Sequence, residues 1–134
     1  MRVLALDVGK KRIGIAISDP LRVIAKPHST IDRNKSAYDR VAQLSKELEV
    51  DTILIGLPLH LDGTESEQTK DVRKFAEKLA QVVGPIQIKF KDERLSSIEA
   101  EQRLADRYGD WRKRKSKIDS FAAASFLEDY LKEQ

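Results

Sequence analysis

Hydrophobic and polar positions follow two different periods along this chain. Val3 to Leu6 is an unbroken apolar run, and Ile13, Ile15 and Ile17 alternate with Gly14, Ala16 and Ser18. Two such runs flanking the Gly9-Lys10-Lys11 stretch predict a β-hairpin. The first run is apolar at every position and suits a central strand covered on both faces. Val23 to Ile31 predicts a third strand, with Pro27 marking an edge or a bulge. After the loop Asp32-Arg33-Asn34 the period lengthens. Ser36-x-x-Asp39 opens a helix whose Val41, Leu44 and Leu48 share one face. Thr52 to Gly56 is a short apolar run and predicts a buried strand, reached by a crossover onto a parallel neighbour. A capping box, Thr64-x-x-Glu67, opens the next helix, whose stripe is Val72, Phe75, Ala76, Leu79, Val82 and Val83; Gly84-Pro85 stops it. Ile86 to Phe90 alternates and predicts a fifth strand with one wetter face. Ser96-x-x-Glu99 opens a third helix that runs to Tyr108 and closes at Gly109. Ser116-x-x-Asp119 opens a last helix bearing Ile118, Phe121, Ala122, Phe126, Leu127, Tyr130 and Leu131.

The order is therefore three strands, helix, strand, helix, strand, helix, helix. This is the ribonuclease H-like arrangement: an α/β fold with a five-stranded mixed sheet, its first three strands antiparallel, and helices on both faces. The length of 134 residues suits one domain, residues 1–134, with a real core. The absence of cysteine excludes disulfides and thiolate metal sites. No apolar run is long enough to span a membrane, and no secretory signal pattern is present, so a cytoplasmic location is expected. The 35% charged fraction, with one Asn and one Met, leans towards the usage of heat-adapted proteins.

The net charge of +3 is unevenly spread. Asp110 to Lys117 holds Arg112, Lys113, Arg114, Lys115 and Lys117 against a single acid; the rest of the chain sums to −1. A positive field in one place favours an anionic partner docking there. The five cations suit phosphates, and Trp111 suits an unpaired base. Lys10, Lys11 and Arg12 extend the track on the other side of Asp7. The plainer alternative is a solvated loop with Trp111 packed beneath it.

Asp7 is the first charge after the first apolar run. A carboxylate at the end of a buried strand needs a partner, because leaving it bare costs several kcal/mol. In the arrangement above the first, fourth and fifth strands lie side by side. That brings Asp7 near Asp92-Glu93, and the first turn of the last helix brings Asp119 over the same point. Converging carboxylates repel one another, and a hard divalent cation, Mg²⁺ or Mn²⁺, relieves the repulsion. Side chains alternate along a strand, so only one of Asp92 and Glu93 faces Asp7; the longer Glu93 is the choice. Each acid also has an ordinary reading. Asp7 or Asp92 suits a turn, Asp119 suits the dipole of a helix start, and Glu93 suits a surface pair with Arg94. His60, in the Pro- and Gly-punctuated loop after the fourth strand, is either a chemical group or a solvated loop residue.

Four stretches carry a family resemblance: Asp7 to Asp19, Gly56 to Thr64, Asp92 to Ala100, and Asp119 to Ala123. In this order they resemble the motifs of the YqgF/RuvX family of pre-16S rRNA nucleases, relatives of Holliday-junction resolvases within the ribonuclease H-like fold. The resemblance covers essentially the whole chain. It implies maturation of the 5′ end of 16S rRNA during ribosome biogenesis, and Asp7, Glu93 and Asp119 as the catalytic, metal-binding triad. The substrate would be structured precursor rRNA, free or on the ribosome, met by Lys10, Lys11, Arg12, Arg94, Trp111, Arg112, Lys113, Arg114 and Lys115. There would be no membrane partner, and the state would be a monomer or weak homodimer. Two departures stand out: His60 occupies a position where family members often carry Asn, and Ile55-Gly56 offers no acid at the end of the fourth strand. A DNA junction resolvase, a nucleotide-binding fragment of the actin/sugar-kinase kind and a non-catalytic ribosome-assembly factor are the alternatives.

Overall fold

A computed structural model of the protein describes residues 1–95, 97–109 and 118–134, and every structural statement here concerns these residues. Five strands, β1 (Arg2–Val8), β2 (Arg12–Ser18), β3 (Ala25–Asp32), β4 (Val50–Leu57) and β5 (Gln87–Asp92), form one sheet in the order β3-β2-β1-β4-β5. The pairs β1–β2 and β2–β3 are antiparallel; β1–β4 and β4–β5 are parallel. The helices are α1 (Ala37–Glu47), α2 (Glu67–Val83), α3 (Ile98–Tyr108) and α4 (Ile118–Lys132). The architecture is the ribonuclease H-like one expected from the periods. The apolar runs Val3–Leu6 of β1 and Ile53–Ile55 of β4 lie on the inner strands of the parallel half, where helices cover both faces and these residues are buried.

The two faces differ in the size of their side chains. On one, Leu4, Leu6, Ile13, Ile15, Ile53 and Ile55 pack against Val41 of α1 and Val72, Phe75 and Leu79 of α2. Tyr38 stacks on Phe75 at 4.9 Å, and the Arg33 guanidinium lies 5.3 Å from the same ring. On the other face, Val3, Ala5, Ala16 and Leu54 meet Phe121, Ala123, Ala124 and Leu127 of α4, with Leu104 of α3 behind them. α4 has the sheet on one side and α3 on the other. It is therefore buried almost all round rather than along one stripe, down to Ser120, Ser125 and Glu128.

Local signals move by a residue or two. β3 begins at Ala25, not Val23, because Asp19 Oδ1 accepts the Val23 and Ile24 amides and holds that segment in a loop. Pro27 sits on the edge strand at a bulge, where the register with β2 slips between Ile15 and Ala16. The Ser36 side chain makes no cap bond to α1; the Asn34 side chain instead accepts from Ser36 N and Oγ. Thr64 is drawn into a loop by Asp62, whose Oδ1 accepts from Thr64 N and Oγ1, so the capping box of α2 is Ser66 with Thr69. Ser97, one residue later than expected, accepts the Ala100 amide and caps α3. Val82 faces outward from α2 instead of joining its buried stripe. The expected cap at Ser116 and the basic segment Asp110 to Lys117 lie outside the described residues.

Candidate active site

Strand alternation puts Val3, Ala5 and Asp7 on the α4 face of β1, with Leu4, Leu6 and Val8 on the other. Asp7 pairs across β1–β2 with Gly14. A methyl group built on Gly14 would overlap the Asp119 carbonyl and stand 2.8 Å from Asp119 Cβ. The missing side chain thus seats the first turn of α4 directly on the sheet and delivers Asp119 beside Asp7. What approaches Gly14 so closely is a backbone, not a ligand.

A second glycine opens the other side. Gly56, near the end of β4, has no side chain where Glu93 Oε1 lies; a methyl there would overlap that oxygen and stand 2.7 Å from Glu93 Cγ and Phe126 Cε2. Glu93 therefore crosses the end of β4 and hydrogen-bonds Asp7. The acid missing from β4 is replaced in space by one arriving from beyond β5, and Gly56 leaves room for it. The alternation argument for Asp92 and Glu93 does not apply, because β5 stops at Asp92 and Glu93 starts a 3-10 turn, Glu93–Leu95. Asp92 turns away to Arg94, pairing with its Nε at 3.0 Å and accepting its amide at 3.1 Å.

The electrostatics follow from this crowding. Burial, then the neighbouring Asp7 charge and the hydrogen bond to it, push the Glu93 carboxyl up to about 8. Burial also raises Asp7; the Glu93 hydrogen bond opposes that rise and the Asp119 charge adds to it. Without a cation the pair therefore shares a proton.

Asp119 is held differently. Arg12 Nε lies 3.3 Å from Asp119 Oδ2, in a pair open to solvent. Arg12, Gly14 and Ala16 share the α4 face of β2, which places the guanidinium at the rim of the carboxylate group. Lys10 and Lys11 are exposed on the adjoining turn. Arg94, expected to meet substrate, also donates from Nη1 to the Leu61 carbonyl at 3.2 Å and so ties the β4–α2 loop to the turn that carries Glu93. His60 closes that loop through its backbone, its amide donating to the Thr64 carbonyl. Trp111, Arg112, Lys113, Arg114 and Lys115 lie outside the described residues.

Among the described residues no three His, Cys, Asp or Glu side chains are disposed to hold one metal ion. Asp7 and Glu93 touch, while Asp119 is turned to Arg12. The donor set nonetheless fits a hard cation. It consists of carboxylate oxygens, and burial and mutual repulsion hold a proton on Glu93 that such a cation would displace.

Sequence reasoning overlooked two features of this arrangement, the cavity left by Gly56 and the Arg12–Asp119 pair. A glycine interrupting the apolar run Ile53 to Leu57 was the available signal for the first. Nothing local pairs residues 107 positions apart.

Residues 1–133 match the family model described as "RuvX: Holliday junction resolvase". A protein of Maridesulfovibrio salexigens described as "Putative pre-16S rRNA nuclease" is 42% identical over 134 residues, covering 98% of each chain. One of Thermoanaerobacter pseudethanolicus with the same description is 42% identical over 137 residues, covering 100% of this chain and 98% of the relative. Among solved structures, Thermus thermophilus RuvC superposes with a TM-score of 0.63 at 12% identity, over 99% of this chain and 95% of that one. The fowlpox virus Holliday junction resolvase superposes with 0.61 at 13% identity over 100% of both.

Proposed function

The chain belongs to the RuvX family, and from that membership and the site's geometry we propose that it is a cation-dependent nuclease. It hydrolyses phosphodiester bonds in precursor 16S rRNA, maturing the 5′ end during ribosome biogenesis in the cytoplasm. The observation that carries the reading is the half-buried Glu93–Asp7 contact with Asp119 beside it, made possible by Gly14 and Gly56. Two carboxylates pressed together under an apolar helix serve no packing purpose, and such arrangements mark functional sites. Residues 1–134 act as one nuclease domain, as a monomer or weak homodimer.

Asp7, Glu93 and Asp119 would hold the Mg²⁺ or Mn²⁺. The ion, when bound, supplies activation of water and stabilisation of the leaving oxygen in phosphodiester hydrolysis. The chain's own residues do the rest. Gly56 lets Glu93 reach Asp7, and Gly14 fixes the height of Asp119. Lys10, Lys11 and Arg12 meet backbone phosphates on the hairpin side, and Arg94 fixes the loop at the opposite rim. The basic stretch Arg112 to Lys115, with Trp111, docks RNA next to Asp119 in sequence.

A Holliday-junction endonuclease is the second reading, favoured by the description of the matching family model. The test is incubation with an RNA spanning the precursor 16S 5′ end, and with a four-way DNA junction, in Mg²⁺ or Mn²⁺, alongside Asp7→Asn. RNA cleavage lost in Asp7→Asn supports the first reading, and cleavage of the junction alone supports the second. Equal cleavage by parent and Asp7→Asn overturns the site.

A further inference from the structure

The site holds an internal contradiction. Asp119 is fixed by its backbone on Gly14, close enough to Asp7 for its charge to be felt there. Its carboxylate is nevertheless engaged by Arg12 on the outer side, and the three acids do not converge. Because the helix cannot slide without vacating Gly14, the remaining freedom is rotation of the Asp119 side chain. Among the described residues, what restrains that rotation is one ion pair with side chains 64% and 36% exposed, a weak tie that salt and competing anions loosen.

Arg12 also stands beside the acids on the rim where a nucleic acid backbone would pass, with Lys10 and Lys11 next to it to attract phosphates. A guanidinium accepts a phosphate in a planar two-pronged contact at least as well as it accepts one carboxylate oxygen through Nε. A phosphate on Arg12 therefore releases Asp119, and a released Asp119 is free to turn inward.

We propose that Arg12 is a positioning residue that keeps Asp119 turned away from Asp7 and Glu93 until a substrate phosphate takes its guanidinium, so that substrate binding completes the cation site. The inference rests on reading the three acids as a cation site. Two consequences follow from linkage. Nucleic acid raises the affinity for the cation, and the cation raises the affinity for nucleic acid by the same factor. Without substrate the site stays weak, which keeps hydrolytic capacity low away from the right backbone.

The test is Mn²⁺ binding, followed by the spin-resonance signal of the free ion, for the full chain and Arg12→Gln. Each is measured with and without a short phosphorothioate RNA that resists cleavage. The expected result is that Arg12→Gln binds Mn²⁺ about fivefold more tightly than the parent in the absence of RNA, the size an exposed ion pair allows. RNA then tightens Mn²⁺ binding in the parent and does nothing further in the variant. Lys78→Gln removes the same charge from the exposed side of α2; it is expected to keep the parent's Mn²⁺ affinity and its response to RNA. Equal affinities in parent and Arg12→Gln, or an equal gain in Lys78→Gln, overturn the inference and leave the cation site standing. Failure of the parent to bind Mn²⁺ with or without RNA overturns the cation site and the inference together.

Discussion

The two faces of the sheet are built from different materials. The α1–α2 face is filled with Leu, Ile, Val and Phe, large side chains that keep the helices away from the strands and remove much apolar surface from water. The α4 face is lined near the site by Gly14, Ala16, Ala5 and Gly56, and α4 answers with Ala123 and Ala124. Small residues on both partners let helix and sheet approach until backbone touches backbone. Less area is buried per contact, but the first turn of α4 is set at a fixed height over the end of β1. The first face supplies stability; the second converts stability into position, and the carboxylates stand on the second.

The comparison is broken most severely at Phe75, which is fully buried among α1, α2 and the sheet. Phe75→Ala is expected to lower unfolding stability by about 3–5 kcal/mol, read from denaturant midpoints. Cleavage per folded molecule should be unchanged, and a parallel loss of activity would show that the faces are not separable. Gly14→Ala is the counterpart on the other face. The added methyl meets the Asp119 backbone, which cannot rotate aside, so α4 must lift. A loss of about 1–3 kcal/mol is expected, smaller than at Phe75, yet with cleavage abolished. Full activity in Gly14→Ala would mean that the seat of Asp119 is irrelevant.

The same contrast explains what was legible beforehand. Periodic apolar positions report burial, so strand order and helix count on both faces could be read from residues such as Leu4, Leu6, Ile53 and Phe75. Helix starts were read one or two residues off at Ser66 and Ser97, because several adjacent Ser and Thr can cap and only the loop path decides among them. The closeness of Asp7 and Glu93 was inferable from topology, but its means was not. Gly56 matters for what it leaves empty, and an empty volume has no periodicity. The Arg12–Asp119 and Arg107–Glu128 pairs join residues far apart in sequence, and charge patterning reads only near neighbours.

A third prediction uses pH to separate the faces. The Glu93 carboxyl moves from 4.5 up to about 8 on folding. Below about pH 4.5 both states carry the proton and nothing is lost. Between there and about pH 8 the unfolded chain is ionised while the native state keeps its proton, so the native state binds more protons and stability falls as pH rises. In chelator, thermal unfolding of the parent should therefore weaken from pH 5 to pH 8. Glu93→Gln should flatten that slope and raise the melting temperature at pH 8. Added Mg²⁺ should flatten it in the parent too, by replacing the shared proton. Phe75→Ala, on a face without such a pair, should keep the parent's slope on a lower curve. An unchanged slope in Glu93→Gln would show that Glu93 is not the group that titrates.

The smallest expected effect on stability is the sharpest test of position. Gly56→Ala places a methyl against Glu93 Oε1 and Cγ, the far end of a flexible side chain, and against Phe126 Cε2 at 2.7 Å. Glu93 can swing away, and alanine also restricts the unfolded chain, so the net change should stay within about 1 kcal/mol. What is lost is the contact with Asp7. A displacement of about 1 Å in a reacting group can cost about 10²-fold in rate, and a loss of that order in cleavage is expected from a protein that melts almost normally. The pH slope in chelator should flatten as it does in Glu93→Gln, because a carboxyl moved out towards water no longer holds its proton. Normal cleavage together with a retained slope would mean that Glu93 reaches Asp7 by a route that does not need the space above Gly56.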